Sequence, residues 1–244
     1  MIRTFSCAAL LCVLAAPLFS AAGQETIRPF STVGVGVKIS TLGPGIEVAT
    51  PLTEHLNLSG GFNMFRYDRN FSSNGVSYAA ELRLRSAELH LDYFPFKHGG
   101  FHISPGALIY NGDQATANAS IPGGDTFTLN HVDFMSDPAS PVTGTPKLDF
   151  VKAAPMILAG FGNLIPRTKH WSVPFAVGVV FQGTPKIGLN LSGNVCAPDG
   201  TNCRSIASDA SVQANIQAQQ DRYKSDFNVA KYYPIISIGI GYKF

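Results

Sequence analysis

Hydrophobic and polar residues alternate along most of this chain with a period of two, the pattern of strands with one apolar face. "TVGVGVKIS" sets Val33, Val35, Val37 and Ile39 against Gly34, Gly36, Lys38 and Ser40. "GPG" at 43–45 punctuates it, and "IEVATPL" sets Ile46 and Val48 against Glu47. "TEH" (53–55) reads as a turn, "LNLSGGFNMFRY" as a strand from Leu56 to Tyr67, and "DRNFSSNG" as a polar loop. The long stretch from Tyr78 to Phe96 changes phase: Leu82 and Leu84 occupy even positions, whereas Ala87, Leu89, Leu91 and Tyr93 occupy odd ones. One extra residue near Arg85–Ser86, a β-bulge, restores a single face.

"FHISPGALIYN" runs back, and 112–146 reads as a long loop with a short hairpin at "TFTLN". "LDFVKAAPMILAGFG" and "WSVPFAVGVVFQG" follow as two strands, the second continuing in phase through "KIGLNL". In the closing "YPIISIGIGYKF", Ile236, Ile238, Ile240, Tyr242 and Phe244 share one face. Helical spacing occurs at Val212, Ile216, Tyr223 and Phe227, with Ser208 as the expected N-cap of a surface helix.

About eight strands (eight to ten) with little else allow a closed antiparallel barrel or a sandwich. Polarity separates a soluble barrel, oily within, from a transmembrane one, oily without. Here the faces opposite the apolar ones carry mainly Gly, Ala and Ser, which make a poor wet exterior but fit a narrow interior. The expectation is an all-β chain: a closed antiparallel transmembrane β-barrel over 24–244, with one short surface helix before the last strand. The alternatives are a secreted or periplasmic lipocalin-like carrier and a lipid-modifying barrel enzyme.

The start of the chain agrees with export. Arg3, the apolar run from Cys7 to Phe19, and small residues at Ser20, Ala21 and Ala22 form a secretory signal peptide over 1–23. The run is too short for a membrane helix. Charged residues make up only 14% of the chain and the formal net charge is +2, so no nucleic-acid partner is expected. Cys7 and Cys12 leave with the signal; Cys196 and Cys203 remain, and an oxidising compartment pairs them as a disulfide.

Several stretches carry a resemblance: "TLGPGIEVATPLTEHLNLSGGFN", "LRLRSAELHLDYFPF" with "GGFHISPGALIYN", "GVVFQGTPKIGL" and "YYPIISIGIGYKF". The chain resembles small outer-membrane β-barrel proteins of Gram-negative envelopes, akin to OmpA/OmpW-type barrels. The resemblance implies an outer-membrane location and a last strand, with Tyr242 and Phe244, that acts as the signal read by the barrel-assembly machinery. It implies no common activity.

Lys38, Glu47, Arg83, Arg85, Glu88, His90 and Asp92 lie opposite apolar faces, hence in the expected lumen. Eight strands leave room only for side chains, so charges of both signs should pair there and close the barrel. Glu88 and His90 with Ser86 as nucleophile would make an acid/base set; a satisfied ion network is the favoured reading. Tyr93, Phe94, Phe96 and Trp171 are expected at the lipid headgroups, and His98 and His102 at a wet rim. No cofactor or metal is expected. Expected partners are outer-membrane lipid, the assembly machinery and a small apolar ligand.

Overall fold

The computed structural model describes residues 28–73, 76–96 and 99–244. The expected signal segment, 1–23, and His98 lie outside them. Eight antiparallel strands close on themselves: β1 (Gly34–Ser40), β2 (Gly43–Thr53), β3 (Leu56–Ser73), β4 (Val76–Tyr93), β5 (His102–Asn111), β10 (Ala154–Phe161), β12 (Phe175–Phe181) and β16 (Tyr232–Lys243). Closure is made by β16 on β1, where Val37 faces Ile240 and Ile39 faces Ile238. A two-residue β11 (Trp171–Ser172) adds to the base of β16.

The two ends of this barrel differ. At the end holding both chain termini, β2–β3 and β4–β5 are joined by short segments, and β10–β12 by residues 162–174. At the other, distal end, β3 and β4 run on past the barrel as one unbroken ladder, from Leu56 opposite Tyr93 to Ser72 opposite Ser77. β6 (Gln114–Ser120), β9 (Thr143–Asp149) and β13 (Lys186–Ser192) extend it into a five-stranded outer sheet. A second sheet of β7 (Thr126–Leu129), β8 (Val132–Ser136), β14 (Asn194–Cys196) and β15 (Arg204–Ser205) packs over it with helix α1 (Ala210–Asp226). Their shared core is Val142, Val195, Ile206, Val212 and Ile216. The helix begins one residue later than expected, at N-cap Asp209, whose carboxylate accepts from the Val212 amide at 2.9 Å. Cys196 and Cys203 are disulfide-bonded within this outer domain.

Several boundaries depart from the periodicity reading. "DRNFSS" is strand, not loop, because β4 pairs with it throughout. The segment 112–146 is mostly strand. "LDFVKAAPMILAGFG" is broken at Phe150–Ala153: its first part joins the outer sheet and its second the barrel. "KIGLNL" does not continue β12 but pairs with β9 in the outer sheet. The β1–β2 turn is Thr41–Leu42, with Gly43 (φ 105°) already in β2.

The phase change in β4 has a different origin from the expected one. No bulge interrupts β4 against β3; the single extra residue is Ile109, on β5, opposite the Ala87–Glu88 step. Along β3–β4 one face stays inward throughout, through Glu88, Ser86, Leu84 and Leu82. What changes is the surroundings of each face. Below Ala87 the outward residues are apolar and exposed, such as Leu89 and Leu91. Above it the outward residues are Arg85, Arg83 and Glu81, while apolar side chains turn inward toward the outer domain. The strand passes from a wall in lipid to a sheet in water.

Candidate functional site

The barrel exterior is the first functional surface. Val37, Ile39 and Ile238 are 62%, 69% and 54% exposed, and like residues ring the whole barrel. That is the reverse of a water-soluble protein and leaves every strand edge paired by closure. Trp171 stacks edge-on to Tyr242, and Tyr242 to Phe244, at the terminus end; Phe181 meets Tyr232 at the distal end. Tyr93 and Phe96 also face outward, but Phe94 does not: it is buried against the His102 ring, 5.2 Å between centroids. His102 is itself buried, not at a wet rim.

The interior is filled in three layers. At the terminus end, the 162–174 segment folds back into the barrel. Leu164 and Ile165 are buried with Ala49, and Leu164 lies against the bare backbone of Gly34, Gly36 and Gly241. A Cβ on Gly36 would lie 2.8 Å from Leu164 Cδ1, so the glycines on these strands make the space for this plug. Asn57 Nδ2 donates to Asn163 Oδ1 at 2.9 Å and ties the plug to β3.

The middle layer is the ion network. Lys38 Nζ donates to Glu88 and sits 3.1 Å from Glu47 Oε2. His90 Nδ1 lies 2.8 Å from Asp92 Oδ1, and its Nε2 faces Glu47 at 3.9 Å. Ser59 and Ser104 hydroxyls both donate to Asp92. Lys38, Glu88, His90 and Asp92 are buried and Glu47 nearly so, so each charge has a partner where an unpaired one would be costly. Period-two reading could not separate Ser59, Ser104, Asn57 and Asn63 from a bland polar face; cross-strand register brings them into the set.

Two residues expected here are elsewhere. Arg83 and Arg85 face outward above the apolar belt, and Arg83 pairs with Glu81 at 2.5 Å. A bulge in β4 would have turned them inward, but the ladder with β3 carries none. The distal layer is apolar, which alternation alone did not show. Leu42, Leu108, Met156, Val180 and Ile235 form an apolar cluster inside the barrel; the hydrogen-bonded pairs Asn63–Ser86 and Asn111–Gln182 are buried as well. β10, β12 and β16 thus carry apolar residues on both faces in this layer.

The chemistry open to this network is narrow. Ser86 Oγ accepts from Asn63 Nδ2 at 3.3 Å and makes no contact with His90, so no nucleophile–base pair is assembled. Glu47, Glu88 and His90 converge closely enough to hold a cation. That place is taken by the Lys38 ammonium.

An apolar, exposed exterior around a paired, filled polar interior defines a transmembrane β-barrel. Two solved structures from Acinetobacter baumannii share the fold. CarO is 19% identical with a TM-score of 0.55, over 89% of this chain and 98% of that one. CarO2 is 20% identical with a TM-score of 0.57, over 91% and 100%. No family model and no curated protein matches the chain.

Proposed function

We propose that this chain is an integral outer-membrane barrel of a Gram-negative envelope, non-enzymatic, whose lumen is closed and whose working surface is the outer domain beyond the membrane. The observation that carries the reading is the filled interior. Between Lys38, Glu47, Glu88 and His90 there remains a cavity of only about 40 Å³, room for a few waters. The Leu164–Ile165 plug lies below it and the Leu108–Val180–Ile235 cluster above it.

The outer-membrane assignment is supported by the exterior belt, the expected signal peptide and the oxidised cysteine pair. The longest segments between barrel strands, 112–153 and 182–231, lie at the distal end, as in barrels whose long loops face outside. Tyr242 and Phe244 serve, on this reading, as the signal for the barrel-assembly machinery. A small apolar molecule is a suitable partner of the outer domain, whereas a general-porin role needs an open lumen.

Fractionation and conductance test the proposal together. The protein should stay with outer membranes through a carbonate wash and show heat-dependent gel mobility. In planar bilayers it should give no steady porin-like conductance. Recovery in the soluble periplasm would restore the lipocalin-like alternative, and large stable channels would overturn the closed lumen.

A further inference from the structure

We propose that the outer domain binds a single-chain fatty carboxylate, its acyl chain in the groove between the outer sheet and the C-terminal half of α1 and its headgroup on Arg69. A groove of about 590 Å³ opens there, in the range of small-molecule sites. Its floor is a row in register across five strands: Tyr67, Leu82, Ala115, Leu148 and Ile187. This face continues the lumen side of the barrel wall, so its exposed apolar residues are turned away from the bilayer and are not part of the lipid belt. An exposed apolar patch in that position calls for another occupant.

The two halves of one interface differ. At its N-terminal end α1 closes fully: Val212 and Ile216 are buried, with Tyr78, Leu189 and Leu191 packed against the same core. At its C-terminal end Tyr223 and Phe227 stay 41% and 43% exposed, because the sheet offers Ala80, Ala115 and Ala117 in place of bulky residues. The apolar stripe is the same; the small residues hold it open.

Charge selects the headgroup. Arg69 lines the groove beside Ala80, and among the described residues no carboxylate or hydrogen-bond acceptor reaches its guanidinium. On the opposite face of the same sheet three cations are paired, Arg66 with Asp68, Arg83 with Glu81 and Lys147 with Asp149. A guanidinium at the mouth of an apolar groove suits a carboxylate, which it can hold through two parallel hydrogen bonds.

The inference rests on the transmembrane reading, and the test separates the two. The full mature chain in lipid vesicles is irradiated with a long-chain fatty acid carrying a diazirine near its tail, and adducts are mapped by peptide mass spectrometry. Adducts are expected in the peptides of Leu82, Tyr223 and Phe227, competed by unlabelled fatty acid, and in the belt peptide of Ile236 and Ile238, not competed. Arg69→Glu should lower groove labelling by up to about fivefold, with the belt unchanged; Arg69→Lys should retain it, and Ala117→Trp should abolish it. Heat-dependent gel mobility reports that each variant is folded. A labelled belt with an unlabelled groove overturns the inference. Equal groove labelling by the matching fatty alcohol, or by Arg69→Glu, overturns the headgroup assignment. An unlabelled belt overturns the transmembrane reading instead.

Discussion

Lys38 is held between two carboxylates from different strands, Glu88 of β4 and Glu47 of β2, with Asp92 and His90 paired beside them. Charges so buried are stabilising only as a set: removing one partner leaves the other desolvated and uncompensated. Glu88→Ala leaves Lys38 with Glu47 alone and should cost about 3 kcal/mol. The expected readout is a lower temperature for the heat-dependent gel shift, with brief irregular openings in a planar bilayer. An unchanged transition would mean that the network is solvated and the lumen wetter than its packing implies.

The plug seats because two neighbouring strands and one connecting segment fit each other. Gly34 and Gly36 of β1 and Gly241 of β16 lack the Cβ that would meet Leu164. Gly36→Val forces either Leu164 out of the barrel or the Ile240 carbonyl, 3.0 Å from the new Cβ, to move. Overpacking of this kind costs about 1–3 kcal/mol, and here it should unseat the plug. Protease cleavage at Arg167 or Lys169 is the measurement, and it should speed up in the variant. The last strand is a separate case. Phe244 is 75% exposed and its amide donates to Val33 O at 3.0 Å, so it completes both the belt and the β1–β16 seam. Phe244→Asp should sharply reduce membrane-inserted protein, measured as the heat-shifted fraction. Normal insertion would make the aromatic end incidental to assembly.

At the level of the whole molecule, one continuous ladder joins two environments. β3 and β4 are wall below Ala87 and outer domain above it, so the outer domain is anchored by strands and not by a flexible linker. The proposed cell-surface position of the outer domain is testable with single cysteines. Asp125→Cys, in the outer domain, should react with a membrane-impermeant maleimide on intact cells. Lys169→Cys, at the terminus end, should react only after the outer membrane is opened. The reverse pattern would invert the topology, and labelling of both sites on intact cells would argue against a sealed barrel.

The sequence by itself determined the strand class by alternation, the helix before the last strand by spacings of four and seven, and, from the small residues opposite the apolar faces, a barrel with its apolar side outward and a lumen side carrying Lys38, Glu47, Glu88, His90 and Asp92. Each of these follows from which residues share a face, and the local period, two or 3.6, states that directly. It cannot state what each face touches. Leu82 and Leu84 read as a slip of register only if every apolar face is a lipid face; the ladder has no slip there, and the apolar side turns inward where lipid gives way to water. Arg83 and Arg85 were misplaced for the same reason. Nor does local pattern show the long-range partners: the Leu164 plug, the apolar cluster inside β10, β12 and β16, and the assignment of "KIGLNL" to the outer sheet depend on pairings between residues far apart in sequence. Tertiary structure decided those, because closure fixes which side of every strand is enclosed and how much space is left there to fill.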